Sequence, residues 1–299
     1  MNFCIFSYNR GRFLDNCVKS IEDCAPGSRL VIYDDQSNDP ETLEVLARQE
    51  SRHVVIKSES KSTNKHGGLY HNMQTALESC PKDELVCFLQ DDTQLVRQIA
   101  DEEKSAIHER FERDTTLGFI SPAFIRNSSI KRKGAGAYIY DLSSQLYYWQ
   151  DSQRSAGVYY SDIFVTLPKR LTQNNWRFVM GEPANEQQAR GMFTKMGYLP
   201  SPFLMWLPNS LAYRGKKKTI SLKIAERVNR CGFYPFAYMT SHEVNKLADM
   251  ADTPPVAEDC LQLLFGPLPK PWIFNPLQKN RILRLTNKIE LFFNRLAGQ

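Results

Sequence analysis

No stretch of this 299-residue chain holds enough consecutive apolar residues to cross a bilayer, which argues against an integral membrane protein. Its seven cysteines (Cys4, Cys17, Cys24, Cys80, Cys87, Cys231, Cys260) include no C-x-x-C pair and are odd in number. Scattered thiols of this kind suit a reduced cytosolic core and speak against a disulfide framework or a zinc site. Net charge is only +5, too small an excess to argue for nucleic acid. Internal repeats and low-complexity tracts are missing too. The first residues, Asn2-Phe3-Cys4-Ile5-Phe6, read as a strand, with no basic n-region and no apolar h-region of a leader. The expected location is therefore cytoplasmic. What is present, 42% apolar and 24% charged residues, is an ordinary globular composition with ample length for a core.

The first third alternates two kinds of pattern. Phe3 to Ser7, Leu30 to Tyr33, Val54 to Ile56 and Leu85 to Leu89 are short apolar runs, as in strands covered on both faces. Between them, Leu14, Cys17, Val18 and Ile21 fall at helical spacing, and Asp39-Pro40 is an N-cap acid followed by a first-turn proline. Asn72, Met73, Ala76 and Leu77 mark a third helix, opened by the loop Asn64-Lys65-His66-Gly67-Gly68. A charged helix from Gln98 to about Arg113 and a fifth strand at Gly118-Phe119-Ile120-Ser121 follow. This rhythm predicts an α/β fold with a mostly parallel, Rossmann-like sheet flanked by helices. Ala137 to Tyr140 and Leu146 to Trp149 have hairpin character, and a helix is expected from about Asn185 to Met196, with Gly197 as its C-cap.

The strand Val86-Cys87-Phe88-Leu89-Gln90 ends in Asp91 and Asp92. Adjacent acids at the carboxyl end of a buried strand are costly unless they meet positive charge. That edge is also where ligands sit in open α/β sheets. A divalent cation carrying a phosphorylated substrate is the simplest occupant. A solvated turn capping the next helix is the blander account.

Four sites in order carry a resemblance: Ser7-Tyr8-Asn9-Arg10, Asp34-Asp35-Gln36-Ser37, the Asn64…Gly67…Asn72 loop and helix, and Leu89-Gln90-Asp91-Asp92. The series resembles the nucleotide-sugar half of family-2 glycosyltransferases with the GT-A fold, over roughly the first 125 residues and less clearly to about 215. The resemblance implies a floor for base and ribose built by Phe6, Ser7, Asn9, Asp34 and Asp35, with Asn64 and Gly67 also at the nucleotide. Asp92 matches the last acid of the family's D-x-D signature, holding Mn²⁺ or Mg²⁺ on the diphosphate, and Asp91 assists at metal and nucleotide. Gln90 stands where the family often has Asp and is not assigned to the metal.

Transfer of the sugar builds negative charge on the departing diphosphate, which a divalent cation stabilises as a Lewis acid. The acceptor hydroxyl must lose a proton, so an inverting enzyme needs a carboxylate base. The matching region is Gly181-Glu182-Pro183-Ala184-Asn185-Glu186-Gln187-Gln188, where Glu186 is the first candidate and Glu182 the second. The family's Glu-Asp pair is missing here. Either acid can instead stabilise a helix N-terminus. His242 is a candidate third metal ligand, or a packed or solvated histidine. Tyr213-Arg214-Gly215-Lys216-Lys217-Lys218 is either a basic loop over the diphosphate or a solvated charge run. Trp176, Trp206, Tyr147, Tyr148 and Trp149 offer sugar-stacking faces, although most such aromatics are core.

The expected organisation is a catalytic domain over 1–265 (nucleotide-sugar half 1–125, acceptor half 126–265), a Pro-rich linker over 266–276 and a basic amphipathic helix over 277–299. In the helix, Ile282, Leu285, Ile289, Phe292, Phe293 and Leu296 share a stripe, with Lys279, Arg281, Arg284, Lys288 and Arg295 around or opposite it. Such a helix suits an anionic membrane surface, docking on the catalytic domain, or pairing with a second copy.

The implied activity is a metal-dependent, inverting transfer from a nucleotide sugar, UDP-linked by family habit, to a saccharide or lipid-linked saccharide in cell-surface polysaccharide synthesis. No nucleic acid partner is expected. Two other readings stand beside it: a sugar-nucleotide nucleotidyltransferase, weakened by the single glycine of Ser7-Tyr8-Asn9-Arg10-Gly11-Arg12, and a non-catalytic nucleotide- or sugar-binding relative.

Overall fold

The computed structural model describes residues 1–58, 68–131, 137–150, 156–211, 218–249, 253–268, 272–273, 276–277 and 280–296. Strand β1 (Asn2–Ser7) is buried along its whole length. Helix α1 (Gly11–Cys24) follows and turns Leu14, Cys17, Val18 and Ile21 inward, as their spacing predicts. β2 (Leu30–Asp34), α2 (Pro40–Glu50), β3 (Val54–Lys57), α3 (Leu69–Ser79) and β4 (Val86–Gln90) complete the alternation. Asp39 caps α2, its carboxylate accepting from the Thr42 N–H at 3.0 Å.

Beyond Asp92 come β5 (Thr93–Leu95) and α4 (Asp101–Arg113). The helix expected from Gln98 thus starts three residues later, because the Ile99 N–H donates to the Cys24 carbonyl at 2.9 Å and holds that segment out of the helix. Next are β6 (Ile120–Ser121), α5 (Asn127–Lys131), β7 (Tyr138–Asp141), β8 (Leu146–Trp149) and β9 (Phe164–Thr166). The chain continues through α6 (Pro168–Gln173), α7 (Glu182–Met192), β10 (Gly197–Tyr198) and β11 (Leu204–Trp206). α8 (Ile220–Val228), α9 (Ser241–Asp249), α10 (Ala257–Cys260) and α11 (Arg281–Leu296) end it.

Nine strands form one sheet in the order β3-β2-β1-β4-β9-β6-β10-β8-β7, and β5 pairs with β11 in a small second one. The four strands β3, β2, β1 and β4 are parallel, whereas β9 runs antiparallel to both β4 and β6. Side chains alternate across the sheet with a period of two. Phe3, Ile5, Ile32, Cys87 and Leu89 face α1, and Cys4, Phe6, Val31, Tyr33, Val86 and Phe88 enter the opposite layer with Met73 and Ala76 of α3. Phe88 packs on Phe164 at 4.8 Å and Phe6 at 5.4 Å between centroids, and its truncation to Ala would cost about 3–5 kcal/mol. All seven cysteines are free thiols, five of them buried, as their spacing suggests.

The strand order positions the site. β1, β2 and β3 step one way across the sheet, and β4 lies on the other side of β1. That reversal opens a crevice at the carboxyl ends of β1 and β4, where doubly wound sheets take their ligands.

One expected helix and its cap shift. The helix expected over Asn185 to Met196 is α7, three residues earlier at its start and four at its end, and Phe193 is its C-cap. Gly197 instead starts β10, paired with Ile120 and Tyr148. A Cβ there would stand 2.5 Å from Leu146 Cδ1, so close approach of the strands demands glycine. Of the settings open to the C-terminal helix, the structure shows docking on the rest of the chain: α11 lies along α8 with hydrogen bonds joining them. Trp272, between the two, is buried against Phe236 at 5.6 Å.

Candidate active site

The loop after β1 is built by Asn9. It adopts φ 49°, a left-handed conformation that asparagine tolerates better than most residues. From there its side chain bridges to the next loop, Oδ1 accepting from the Asn38 and Asp39 N–H groups at 2.7 and 3.1 Å. Asp34, 1% exposed, closes that second loop by accepting from the Ser37 N–H at 2.8 Å and its hydroxyl at 2.5 Å. Asn9 and Asp34 are thus braces behind the crevice. Asp35 reaches into it. One Asp35 oxygen accepts from the Gly68 N–H at 2.6 Å, and the other is buried with no hydrogen-bond partner among the described residues. Burial raises this carboxyl above its ordinary value. A Cβ on residue 68 would fall 2.2 Å from Asp35 Oδ1, so any larger residue there must displace the Asp35 carboxylate.

Phe6, Ser7, Tyr8, Arg10, Asp35, Leu69, Asn72, Gln90 and Asp91 line a cavity of about 160 Å³ at this strand edge. A larger groove of about 460 Å³ lies at the opposite, amino-terminal edge of the strands, around Met1, Arg29 and Lys104. Only the smaller space collects the sequence candidates. Phe6, Ser7, Asp35 and Asp91 meet there, while Asn64 and Gly67, with Lys65 and His66, lie outside the described residues.

Asp91 and Asp92 are both buried, and they have a cation that the sequence did not single out. Arg10 Nη1 stands 2.7 Å from Asp92 and 3.2 Å from Asp91. Its other nitrogen donates to the Leu211 carbonyl at 3.0 Å. Burial opposes the Arg10 charge, yet the two carboxylates outweigh it and raise the guanidinium above its ordinary value. Asp91 also accepts from the Tyr8 N–H at 3.1 Å and the Ser7 hydroxyl at 3.3 Å. Burial still pushes its carboxyl up to about 6, with Arg10 pulling the other way. Asp92 accepts from the Ser210 hydroxyl at 3.3 Å through the oxygen that Arg10 holds. Its second oxygen, Oδ1, is buried and has no partner among the described residues.

A divalent cation with hard oxygen ligands fits that orphan carboxylate oxygen, because Mg²⁺ or Mn²⁺ needs few protein ligands when phosphates supply the rest. Among the described residues no group of three or more His, Cys, Asp or Glu is gathered to hold a metal ion. His242 is exposed in the first turn of α9. Its segment joins the far end of β5, where the Met239 N–H donates to the Val96 carbonyl at 2.7 Å. Four extended residues from Asp92 to Val96 separate the two by about 13 Å along the strand. The structure does not bring His242 to the aspartates.

A second carboxylate pair flanks the crevice. β9 runs antiparallel to β4 with Phe164 opposite Phe88, so Asp162 falls beside Gln90 at the same strand edge. Tyr70 and Tyr160 donate to Asp162 at 3.0 and 2.9 Å, and its own N–H donates to Glu182 at 3.3 Å. Burial, then the charge of Glu182, pushes the Asp162 carboxyl up to about 7 against those hydroxyls. Glu182 sits in the first turn of α7, and Tyr70 follows the cavity-lining Leu69. Glu186 has a different setting. It is 2% exposed and accepts from the Val158, Tyr159 and Tyr160 N–H groups at 3.3, 3.0 and 2.9 Å. Those bonds fix the segment that carries Tyr160 and Asp162.

Of the other candidates, Trp176, Tyr147 and Trp149 are buried core residues, and the basic cluster 213–217 lies outside the described residues. Arg10, Asp162, Tyr70 and Ser210 were missed by the sequence reading. Asp162 had one signal: an acid directly before the apolar run Ile163-Phe164-Val165 is the reverse of the strand-then-acid order at Asp91, as an antiparallel strand requires.

No family model matches the chain, and no curated protein matches it. Solved structures do. The Staphylococcus aureus TarS 1–349 structure is 14% identical, with 69% of this chain and 60% of that one covered and a TM-score of 0.47. Longer TarS is 13% identical over 83% of this chain and 42% of its own, TM-score 0.49. The chain therefore spans less than two thirds of either TarS structure. The mannosyltransferase PcManGT from Pyrobaculum calidifontis, in complex with GDP-Man and Mn²⁺, is 13% identical over 100% of this chain and 75% of that one, TM-score 0.47.

Proposed function

We propose that the chain is a glycosyltransferase that moves a sugar from a nucleoside diphosphate donor, UDP by family habit, to a saccharide acceptor. The observation that carries the reading is the buried Asp91–Asp92 pair at the tip of β4, facing Asp35 across a cavity at the strand-order reversal. Asp35 and the backbone of Ser7 and Tyr8 bind ribose and base, and Arg10 and Asp92 stand at the diphosphate. Mn²⁺ or Mg²⁺, held through Asp92 Oδ1, supplies Lewis-acid stabilisation of the leaving group.

Asp162 is the group we assign to the acceptor proton, with Glu182 as the charge that keeps it poised. A carboxyl near 7 is ionised often enough to accept a proton and basic enough to hold it. Glu186, saturated by three backbone donors, serves as its positioning residue. Single displacement by the hydroxyl gives an inverting outcome. A role in cell-surface polysaccharide synthesis at the cytoplasmic face rests on the sequence resemblance.

The test is a panel of nucleotide sugars incubated with the chain and Mn²⁺, reading release of nucleoside diphosphate. Release from one donor, lost in Asp92→Asn, is expected. Donor binding without any release, with or without saccharides, would favour the non-catalytic relative. Pyrophosphate release from a nucleoside triphosphate would favour the nucleotidyltransferase.

A further inference from the structure

Helices α8 and α11 leave a large apolar surface uncovered. On α8, Ile220, Ile224 and Val228 recur every four residues, and on α11 Ile282, Leu285, Ile289, Phe292 and Phe293 form one stripe. These eight side chains are between 45% and 74% exposed. Scattered apolar residues at a surface need no explanation, but a contiguous set of this size marks an interaction site.

Whether the stripes are contiguous depends on how the helices lie. The start of α8 meets the later part of α11: Thr219 bonds Asn287 at 2.5 Å, Ser221 bonds Thr286 at 2.7 Å, and Glu290 accepts from the Ile220 N–H at 2.7 Å. Just past the end of α8, Asn229 donates to the Pro276 carbonyl at 2.9 Å, before α11 begins. The two helices are therefore antiparallel. At roughly 100° per residue, each helix shows the same order around its axis: cations, then the apolar stripe, then the face touching the other helix. A shared order on antiparallel helices puts both stripes on the same side of the pair. They merge at the seam.

The outer rims of this face are basic. Lys223 and Arg227 border the α8 stripe, and Arg281, Arg284 and Lys288 border that of α11, all of them exposed. Lys223, Arg227, Arg281 and Lys288 make no ion pair among the described residues. Both acids of the pair are turned inward. Glu226 binds Lys218 at 2.8 Å, and Glu290 stabilises the N-terminus of α8 through its first N–H groups. A two-fold contact through this face would set basic rim against basic rim, so charge disfavours a second copy. An anionic layer accepts the rims while its acyl region accepts the stripes.

We infer that the α8–α11 pair is a two-helix docking face for an anionic lipid bilayer, lying on its surface without crossing it. Among the described residues no helix is long and apolar enough to span one. The face is tied to the crevice by Asn209, which donates to the Asn229 carbonyl at 3.2 Å and accepts from the Ile273 N–H at 3.0 Å. Its neighbours Ser210 and Leu211 hold Asp92 and Arg10.

The test is sedimentation of the full chain with vesicles of phosphatidylcholine alone or mixed with phosphatidylglycerol, beside its mass in solution by light scattering. Capture by the mixed vesicles alone, weakening as salt rises, is expected. Lys223→Glu with Arg227→Glu should lower capture by about tenfold or more, and so should Lys288→Glu with Arg281→Glu. Ile224→Ser with Phe292→Ser should also release the chain, while its far-ultraviolet spectrum and melting stay unchanged. Equal capture by neutral vesicles, no capture by either, or a dimer that Ile224→Ser disperses without any vesicle binding would each overturn the inference. Loss of transferase activity does not enter these readouts, so the two proposals fail separately.

Discussion

The two carboxylate pairs at this strand edge are chemically alike and differently held, Asp91 and Asp92 being buried and Asp162 and Glu182 half-buried. Asp91 and Asp92 share Arg10, a cation held at 2.7 Å from one of them. Asp162 is held instead by the hydroxyls of Tyr70 and Tyr160, and its N–H donates to Glu182. Burial raises Asp91 to about 6, and the guanidinium beside it favours its charged form. Asp162, raised to about 7 by burial and the charge of Glu182, holds a proton near neutrality. A carboxylate beside a cation suits ion binding, and one held by hydroxyls suits acid–base work.

The largest expected effect tests the proton side. Asp162→Asn should lower turnover by about 10²–10⁴-fold with donor affinity nearly unchanged. In the unaltered chain, kcat/KM should fall as pH drops below about 7, because the base must be ionised, and Asp162→Asn should lose that limb. A variant with full turnover, or the same pH limb, would remove Asp162 from the chemistry.

Next is the cationic side. Arg10→Gln leaves two buried carboxylates without their counter-ion and should cost about 3–5 kcal/mol in urea unfolding. The sign with pH is specific. Asp91, raised to about 6 with Arg10 in place and further without it, binds a proton in the folded state that the unfolded chain does not, so the variant's stability recovers as pH falls below that raised value towards ordinary carboxylate values. Equal losses at high and low pH would mean that Arg10 acts by packing.

Glu186→Gln should show a smaller effect, about 1–3 kcal/mol, since an amide keeps one acceptor oxygen for three backbone donors. Its turnover should fall through misplacement of Asp162, with the pH limb retained. Disappearance of that limb would return the base role to Glu186. Smallest of all, Gly68→Ala should weaken nucleotide binding a few-fold by displacing Asp35, read by calorimetry.

The first half of the sheet was legible because β1, β2 and β4 are apolar on both faces and bounded by helical periods. In the second half, β6 and the β7–β8 hairpin were expected from their apolar and aromatic runs, but β9 and β10 were not. β9, β10 and, in the small sheet, β11 are two or three residues long, too short to show a period, and they take shape only by pairing with distant strands. Arg10 was hidden for a related reason. A basic residue in a turn looks solvated until the pairing of Phe6 with Gln90 sets the end of β1 beside the two aspartates. Gly197 followed a helix in sequence and so looked like its cap, whereas the approach of Leu146, fifty-one residues away, decides its role. The apolar stripe of α11 was visible; the matching stripe of α8 became meaningful only once the two helices were seen to run antiparallel.

Calorimetric titration of the chain with UDP, with and without Mn²⁺, alongside Asp92→Asn, tests the cation site most directly. Binding that strengthens with Mn²⁺ in the unaltered chain and is indifferent to it in Asp92→Asn is the predicted result. Nucleotide binding equally strong without Mn²⁺, or an Asp92→Asn response to Mn²⁺ that matches the unaltered chain, would contradict it.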